Sequence, residues 1–157
     1  MENSYNYREK KIVGVLSSKV DPSIGFNVIG HLAVSIGAKA GEEILGRVSY
    51  IDASDIHHLG ISKYPFIITK VKPGKLKKAI QEARLKPAIL VADFPTEMLN
   101  TGHDDELNAA ILAKEEESIE YLGAVFYGPT EQIDAITGRF SLWRSESASS
   151  AVIDAPK

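Results

Sequence analysis

The 157 residues carry a net charge of −3 at a sequence pI near 5.8, with 44% hydrophobic and 25% charged residues, a composition that suits one globular domain with a real core. There is no cysteine, so disulfides, thiolate metal sites and cysteine nucleophiles are excluded together. No apolar run approaches the roughly 20 residues of a membrane helix, and the polar start Met1-Glu2-Asn3-Ser4 lacks a signal-peptide core, so the expectation is a cytoplasmic protein with no membrane partner.

Residues 1–10 are polar and expected to be flexible. Lys11–Ser17 (KIVGVLS) is β-branched and apolar, and predicts a strand. Asp21-Pro22 turns the chain into a helix over Ile24–Ala40, whose apolar residues spread over two stripes and whose Gly30, Ala33, Gly37 and Ala40 permit close approach to a sheet. Arg47–Ile51 suggests a short strand, and Asp52–Lys63 has the Asp, Ser and Gly chemistry of a loop. Pro65–Val71 and Pro87–Phe94 are near-continuous apolar runs typical of central strands buried on both faces. Between them, Leu76, Ala79, Ile80 and Ala83 recur at helical spacing opposite a row of lysines, which makes a strand–helix–strand unit. Asp104 to about Glu117 predicts an acidic-first helix with an apolar face of Leu107, Ala110 and Ile111. Tyr121–Tyr127 is a strand. Gly128-Pro129-Thr130-Glu131 starts a short helix, Gly138 ends it in a left-handed conformation, and Arg139–Trp143 is the last strand. Residues 145–157, rich in Ser and Ala, are expected to be a disordered tail. The domain therefore spans 11–144.

Charge is unevenly placed. Lysines and one arginine crowd residues 63–86, and acids crowd residues 104–120. These are either two solvated helix faces, a basic patch for an anionic ligand, or patches that pair between subunits. The overall acidic balance argues against nucleic acid, whose binding calls for a cationic excess.

The run Leu122-Gly123-Ala124-Val125-Phe126-Tyr127-Gly128-Pro129, followed by Ile133-Asp134-x-x-Thr137-Gly138-x-x-x-Leu142, resembles the closing unit of peptidyl-tRNA hydrolase II. The nearest resemblance within that superfamily is to the prokaryotic domain-of-unknown-function two-thousand family, in the Asn27 helix, the Tyr50/Asp52 region and the Gly128 unit. It covers roughly Lys11 to Trp143. It implies an α/β, three-layer fold: a mixed, mostly parallel sheet flanked by helices, often as a homodimer. Against the hydrolases, Lys19 matches one loop lysine and the second is absent, since Ile24-Gly25-Phe26-Asn27 stands in its place. His31 falls near the helix histidine. Asp93-Phe94-Pro95-Thr96 replaces Asp-x-Gly-x-Thr, and the helix after Asp104 is an insertion.

Asn27 and His31, four apart, share a helix face. They are either a satisfied polar pair or part of a site with Asp93 and Thr96 at a neighbouring strand end, where pockets form. In the second case His31 is a general base, Lys19 stabilises an anion, and the helix start after Gly25 offers free N–H groups. His103 is either a helix cap or a ligand-binding residue. His57 and His58 are adjacent and would point apart on a strand, so no metal site is expected. No cofactor is expected: Gly123-x-x-x-x-Gly128 lacks the Lys-Ser or Lys-Thr of a phosphate-binding loop. Ser17, Ser18 and Ser35 lack a nucleophile-elbow pattern. Two functions follow. One is a ligand-binding or regulatory homo-oligomer without tRNA hydrolase activity, its ligand a small molecule. The other is a hydrolase of an ester or amide, in peptidyl-tRNA or a small molecule, with its pocket around Asn27, His31 and Asp93.

Overall fold

The computed structural model describes residues 5–144; the expected tail at 145–157 lies outside them. The first strand, β1 (Lys10–Ser17), alternates its side chains between two cores. Ile12 and Leu16 face Val28, Leu32 and Ile36 of α1 (Pro22–Ala40), while Val13 and Val15 face Leu76, Ala79, Ile80 and Ala83 of α2 (Pro73–Arg84). Helix α1 begins at Pro22, because Asp21 Oδ1 accepts from Ser23 N at 2.9 Å and caps it. The remaining elements are β2 (Ser49–Ile51), β3 (His57–Leu59), β4 (Phe66–Val71), β5 (Leu90–Pro95), α3 (Asp104–Leu112), β6 (Tyr121–Pro129), α4 (Thr130–Thr137) and β7 (Ser141–Leu142).

The main sheet has five strands in the order β5-β6-β1-β4-β7. Helix α1 covers one face; α2 and α4 cover the other. The sheet is mixed and helix-flanked as expected, but it is not mostly parallel: β1–β4 is parallel, whereas β1–β6, β5–β6 and β4–β7 are antiparallel. The cause is β6, which enters between β1 and β5. Strands β4 and β5, joined by α2, are thereby two strands apart, and β5 lies at the sheet edge instead of the centre. Apolar runs alone do not distinguish an edge strand half covered by helices from a central one.

Three local expectations also change. The stretch expected as a loop contains β3, which pairs with β2 in a hairpin (Tyr50 opposite His58) that joins no strand of the main sheet. Helix α3 stops at Leu112, and a separate 3-10 turn covers Glu116–Ser118. Gly138 keeps a right-handed φ of −61°, so its lack of a side chain is explained by space: a Cβ there would lie 2.6 Å from the Asp134 carbonyl oxygen.

The closing motif is scaffold throughout. Lys11 Nζ donates to Asp134 Oδ1 at 2.6 Å, tying α4 to β1, and Thr137 Oγ1 donates to the Ile133 carbonyl at 3.0 Å. Gly123 lets α1 lie close on β6: a Cβ there would meet Val28 Cγ1 at 2.8 Å and the Val15 carbonyl oxygen at 3.1 Å. Gly123→Ala is therefore expected to destabilise the fold by about 1–3 kcal/mol, read from urea unfolding, since backbone on the β1 side cannot yield; an unchanged midpoint would show that the approach is not tight.

Candidate functional site

Strands β1, β4 and β5 end on the same edge of the sheet, and a pocket of about 430 Å³ opens there. Ser17, the last residue of β1, is 3% exposed and lines it. Its hydroxyl accepts from Lys19 N at 3.3 Å, and none of the described residues accepts its proton. Lys19, Thr96 and Tyr121 line the same pocket, with Pro73 and Gly74 at the start of α2. That start has no side-chain cap; Pro73 has no N–H and Lys75 N donates to the Lys72 carbonyl at 3.0 Å, which leaves the Gly74 N–H as the free donor there. Lys77 is occupied: its Nζ donates to the Glu117 carbonyl at 2.6 Å and the Ile119 carbonyl at 3.1 Å. Glu117 and Glu120 also line the pocket.

A second groove, about 400 Å³, lies between α1 and α3. Asn27, His31 and His103 line it with Phe94, Met98 and Leu107. The His31 imidazole sits edge-on to Phe94, centroids 6.2 Å apart, and finds no hydrogen-bond partner among the described residues. His103 caps α3, its Nδ1 accepting from Asp105 N at 3.2 Å.

The residues expected to converge are thus divided. Lys19 and Thr96 share the edge pocket, and Asn27, His31 and His103 share the groove. Asp93 joins neither. Neighbours on a strand point to opposite faces, so Phe94 faces α1 while Asp93 faces α2. There Asp93 Oδ2 accepts from Arg84 Nη2 at 2.9 Å. The same Nη2 donates to the Tyr121 hydroxyl at 3.1 Å, and Glu116 accepts from Gln81 at 2.9 Å and from Arg84 at 3.3 Å. Arg84 therefore joins α2 to Glu116 of the acidic stretch within one chain. Burial would lower the Arg84 pKa, but Tyr121 and Asp93 raise it, so the guanidinium stays charged. Gly25 serves packing: it is buried, its N–H donates to the Asp21 carbonyl at 2.9 Å, and a Cβ would lie 3.0 Å from Leu16 Cδ1.

The histidine pair sits on β3. His58 Nε2 lies 3.1 Å from Asp52 Oδ2, and His57 Nδ1 lies 3.4 Å from Ser49 Oγ. Among the described residues no group of three or more His, Cys, Asp or Glu side chains is placed to hold a metal ion.

Glu97 was not visible as special in the sequence. It is 8% exposed and forms a short ion pair with Lys114 while Thr96 Oγ1 donates to it at 3.3 Å. This pair anchors the segment that carries α3 beside the groove. Nothing local marks it, because the partner lies beyond α3.

Together the five-stranded mixed sheet, the two-sided helix layers and the edge pocket define a small α/β protein with a cavity at its strand ends. The chain belongs to the family described as protein of unknown function (DUF2000), which matches residues 10–144. Among solved structures it is similar to the protein of unknown function Atu0240 from Agrobacterium tumefaciens strain C58, with a TM-score of 0.76 and 24% identity over 87% of this chain and 98% of that one, a likeness that shows the fold. No curated protein matches. No described helix is long and apolar enough to cross a membrane.

The Glu97–Lys114 pair makes a pH-dependent prediction. The bond from Lys114 holds the Glu97 carboxyl below its ordinary range, so the folded pKa is depressed. Its contribution is present above the unfolded value, about 4.3, and is lost as pH falls through the folded value. Lys114→Met is expected to cost about 1–2 kcal/mol at neutral pH, the exposed lysine keeping the figure low, and almost nothing at the acid end. Urea titrations at several pH values check this; a difference independent of pH would remove the ion pair as its cause.

Proposed function

We propose that this protein is a ligand-binding homo-oligomer on a peptidyl-tRNA hydrolase II-like scaffold, that it lacks tRNA hydrolase activity, and that its ligand is a small anion held in the edge pocket. The observation that carries the reading is the grouping of Lys19, Thr96 and the buried Ser17 hydroxyl with the uncapped start of α2, apart from His31 and Asp93. An ammonium, the Ser17 hydroxyl and the Gly74 N–H suit a carboxylate or phosphate. Glu117 and Glu120 on the same wall repel a polyanion such as tRNA while leaving room for one small charged group.

Hydrolysis is the second reading, favoured by the unpartnered His31 beside Asn27 in the groove. No carboxylate bonds His31 among the described residues: Asp93 is committed to Arg84 on the other face of the sheet, and Asp104, which lines the groove, makes no hydrogen bond to the imidazole.

Titration calorimetry with inorganic phosphate and with acetate tests the binding reading. Saturable binding of one of them is expected, weakened about tenfold or more by Lys19→Ala, the loss of one charge-assisted hydrogen bond. Equal affinity in Lys19→Ala would remove the pocket assignment. Release of peptide from peptidyl-tRNA, lost in His31→Ala, would establish the hydrolase instead.

A further inference from the structure

The edge pocket carries charge of both signs, and neither sign is spent within the chain. Lys19 lines it from the turn after β1, and Glu117 and Glu120 line it from the segment that leads into β6. None of these three side chains has a hydrogen bond or ion pair among the described residues. Lys19 therefore borders the same cavity as two carboxylates without closing an ion pair to either.

The acidic wall is fixed through its backbone. Lys77 Nζ donates to the carbonyls of Glu117 and Ile119, and Thr96 N donates to the Glu120 carbonyl at 2.9 Å. The neighbouring acid Glu116 is consumed, accepting from Gln81, Arg84 and the Tyr121 hydroxyl. The chain thus pins this wall, satisfies Glu116, and leaves the carboxylates of Glu117 and Glu120 to the cavity. Strand order places them. Along this edge the order is β5, β6, β1, β4, so the acids that precede β6 lie beside Ser17 and Lys19 at the end of β1, and Gly74 follows β4 beyond them. Neighbouring strands stand about 4.8 Å apart, so the two signs are separated by about the length of a small organic molecule. The cavity of about 430 Å³ is also of small-molecule scale.

We propose that the ligand of the edge pocket is a small zwitterion of the amino-acid class, its carboxylate held by Lys19, the Ser17 hydroxyl and the Gly74 N–H, its ammonium held by Glu117 and Glu120. The proposal rests on the anion reading above and narrows it. Two unpaired carboxylates on one wall repel each other and any second anion, and a cation shared between them removes that cost. An ammonium offers three donors and suits two carboxylates. A metal ion does not, because among the described residues no third His, Cys, Asp or Glu joins them. At the other end Ser17 is 3% exposed and its hydroxyl proton has no acceptor among the described residues. A simple anion leaves both acids unpaired, and a simple amine leaves Lys19 and Ser17 unpaired. A dipolar ligand satisfies both ends together.

Titration calorimetry of the full chain with two matched series tests this: glycine, β-alanine and 4-aminobutyrate against acetate, propionate and butyrate. At least one amino acid should bind about tenfold or more tighter than the acid that lacks only its amine, the worth of a charge-assisted hydrogen bond. In the double variant Glu117→Gln, Glu120→Gln that ratio should fall to about one, whereas Lys19→Ala should weaken both series. Should the double variant fail to fold, the wild-type ratio still decides. Acids that bind as tightly as their amino counterparts overturn the zwitterion and leave the anion pocket standing. A preference for the amine that survives the double substitution overturns the assignment of the ammonium to this wall. Absence of binding by both series removes the anion reading and the zwitterion with it.

Discussion

Strand β6 enters the sheet antiparallel between β1 and β5, and most of what the molecule does follows from that insertion. It pairs with β1 from Lys10–Pro129 to Leu16–Gly123 and with β5 from Leu90–Tyr127 to Phe94–Gly123. Its side chains feed both cores: Phe126 and Ala124 pack under α2 and α4, Val125 and Tyr127 under α1. Fixing β5 on its outer side fixes which way each β5 residue points. The period of two then sends Phe94 to the His31 groove and Asp93 to Arg84. A hydrolytic triad-like grouping of His31 with Asp93 is prevented by this register, not by distance along the chain.

The consequence is a division of labour among polar residues that the sequence places near one another. Arg84 gathers Asp93, Tyr121 and Glu116 into a network joining α2, β5, β6 and the 3-10 turn. Burial raises the Tyr121 pKa, so its hydroxyl remains a donor to Glu116. This network closes the side of the edge pocket with satisfied groups. It leaves Lys19 and Ser17 as the polar donors able to turn toward a ligand, with the Thr96 hydroxyl donating to Glu97 beside them. Helix α3, pinned through Glu97 and Lys114, walls the other cavity, where His103 and Asp104 join the lining without a hydrogen bond to His31.

Much of the fold is legible in the sequence, for a physical reason. Amphipathic spacing in α2 names its buried residues Leu76, Ala79, Ile80 and Ala83 correctly, and the apolar runs mark β1, β4, β5 and β6. Pairing order is not local. Whether Leu90–Pro95 is central or at an edge depends on where β6 lies, and β6 begins beyond α3. Arg47–Ile51 marked β2, but β3 escaped for a related reason: the residues of the ribbon alternate no apolar and polar face, because neither face packs on the domain. At the site, residue types were legible and facing was not. Lys19 and Thr96 meet as their positions at strand ends suggest; Asp93 and His31 stand on opposite sides of one sheet; Glu97 gave no local signal at all.

The central claim is that polar groups converge at the strand ends around Lys19 and Thr96, and that the His31 groove is a separate place. Chemical-shift mapping of backbone amides during titration with inorganic phosphate tests this most directly. Saturating shifts are expected at Ser18, Lys19, Gly74, Lys75 and Thr96, with Asn27, His31 and His103 unmoved. Shifts centred on Asn27, His31 and His103 would contradict it.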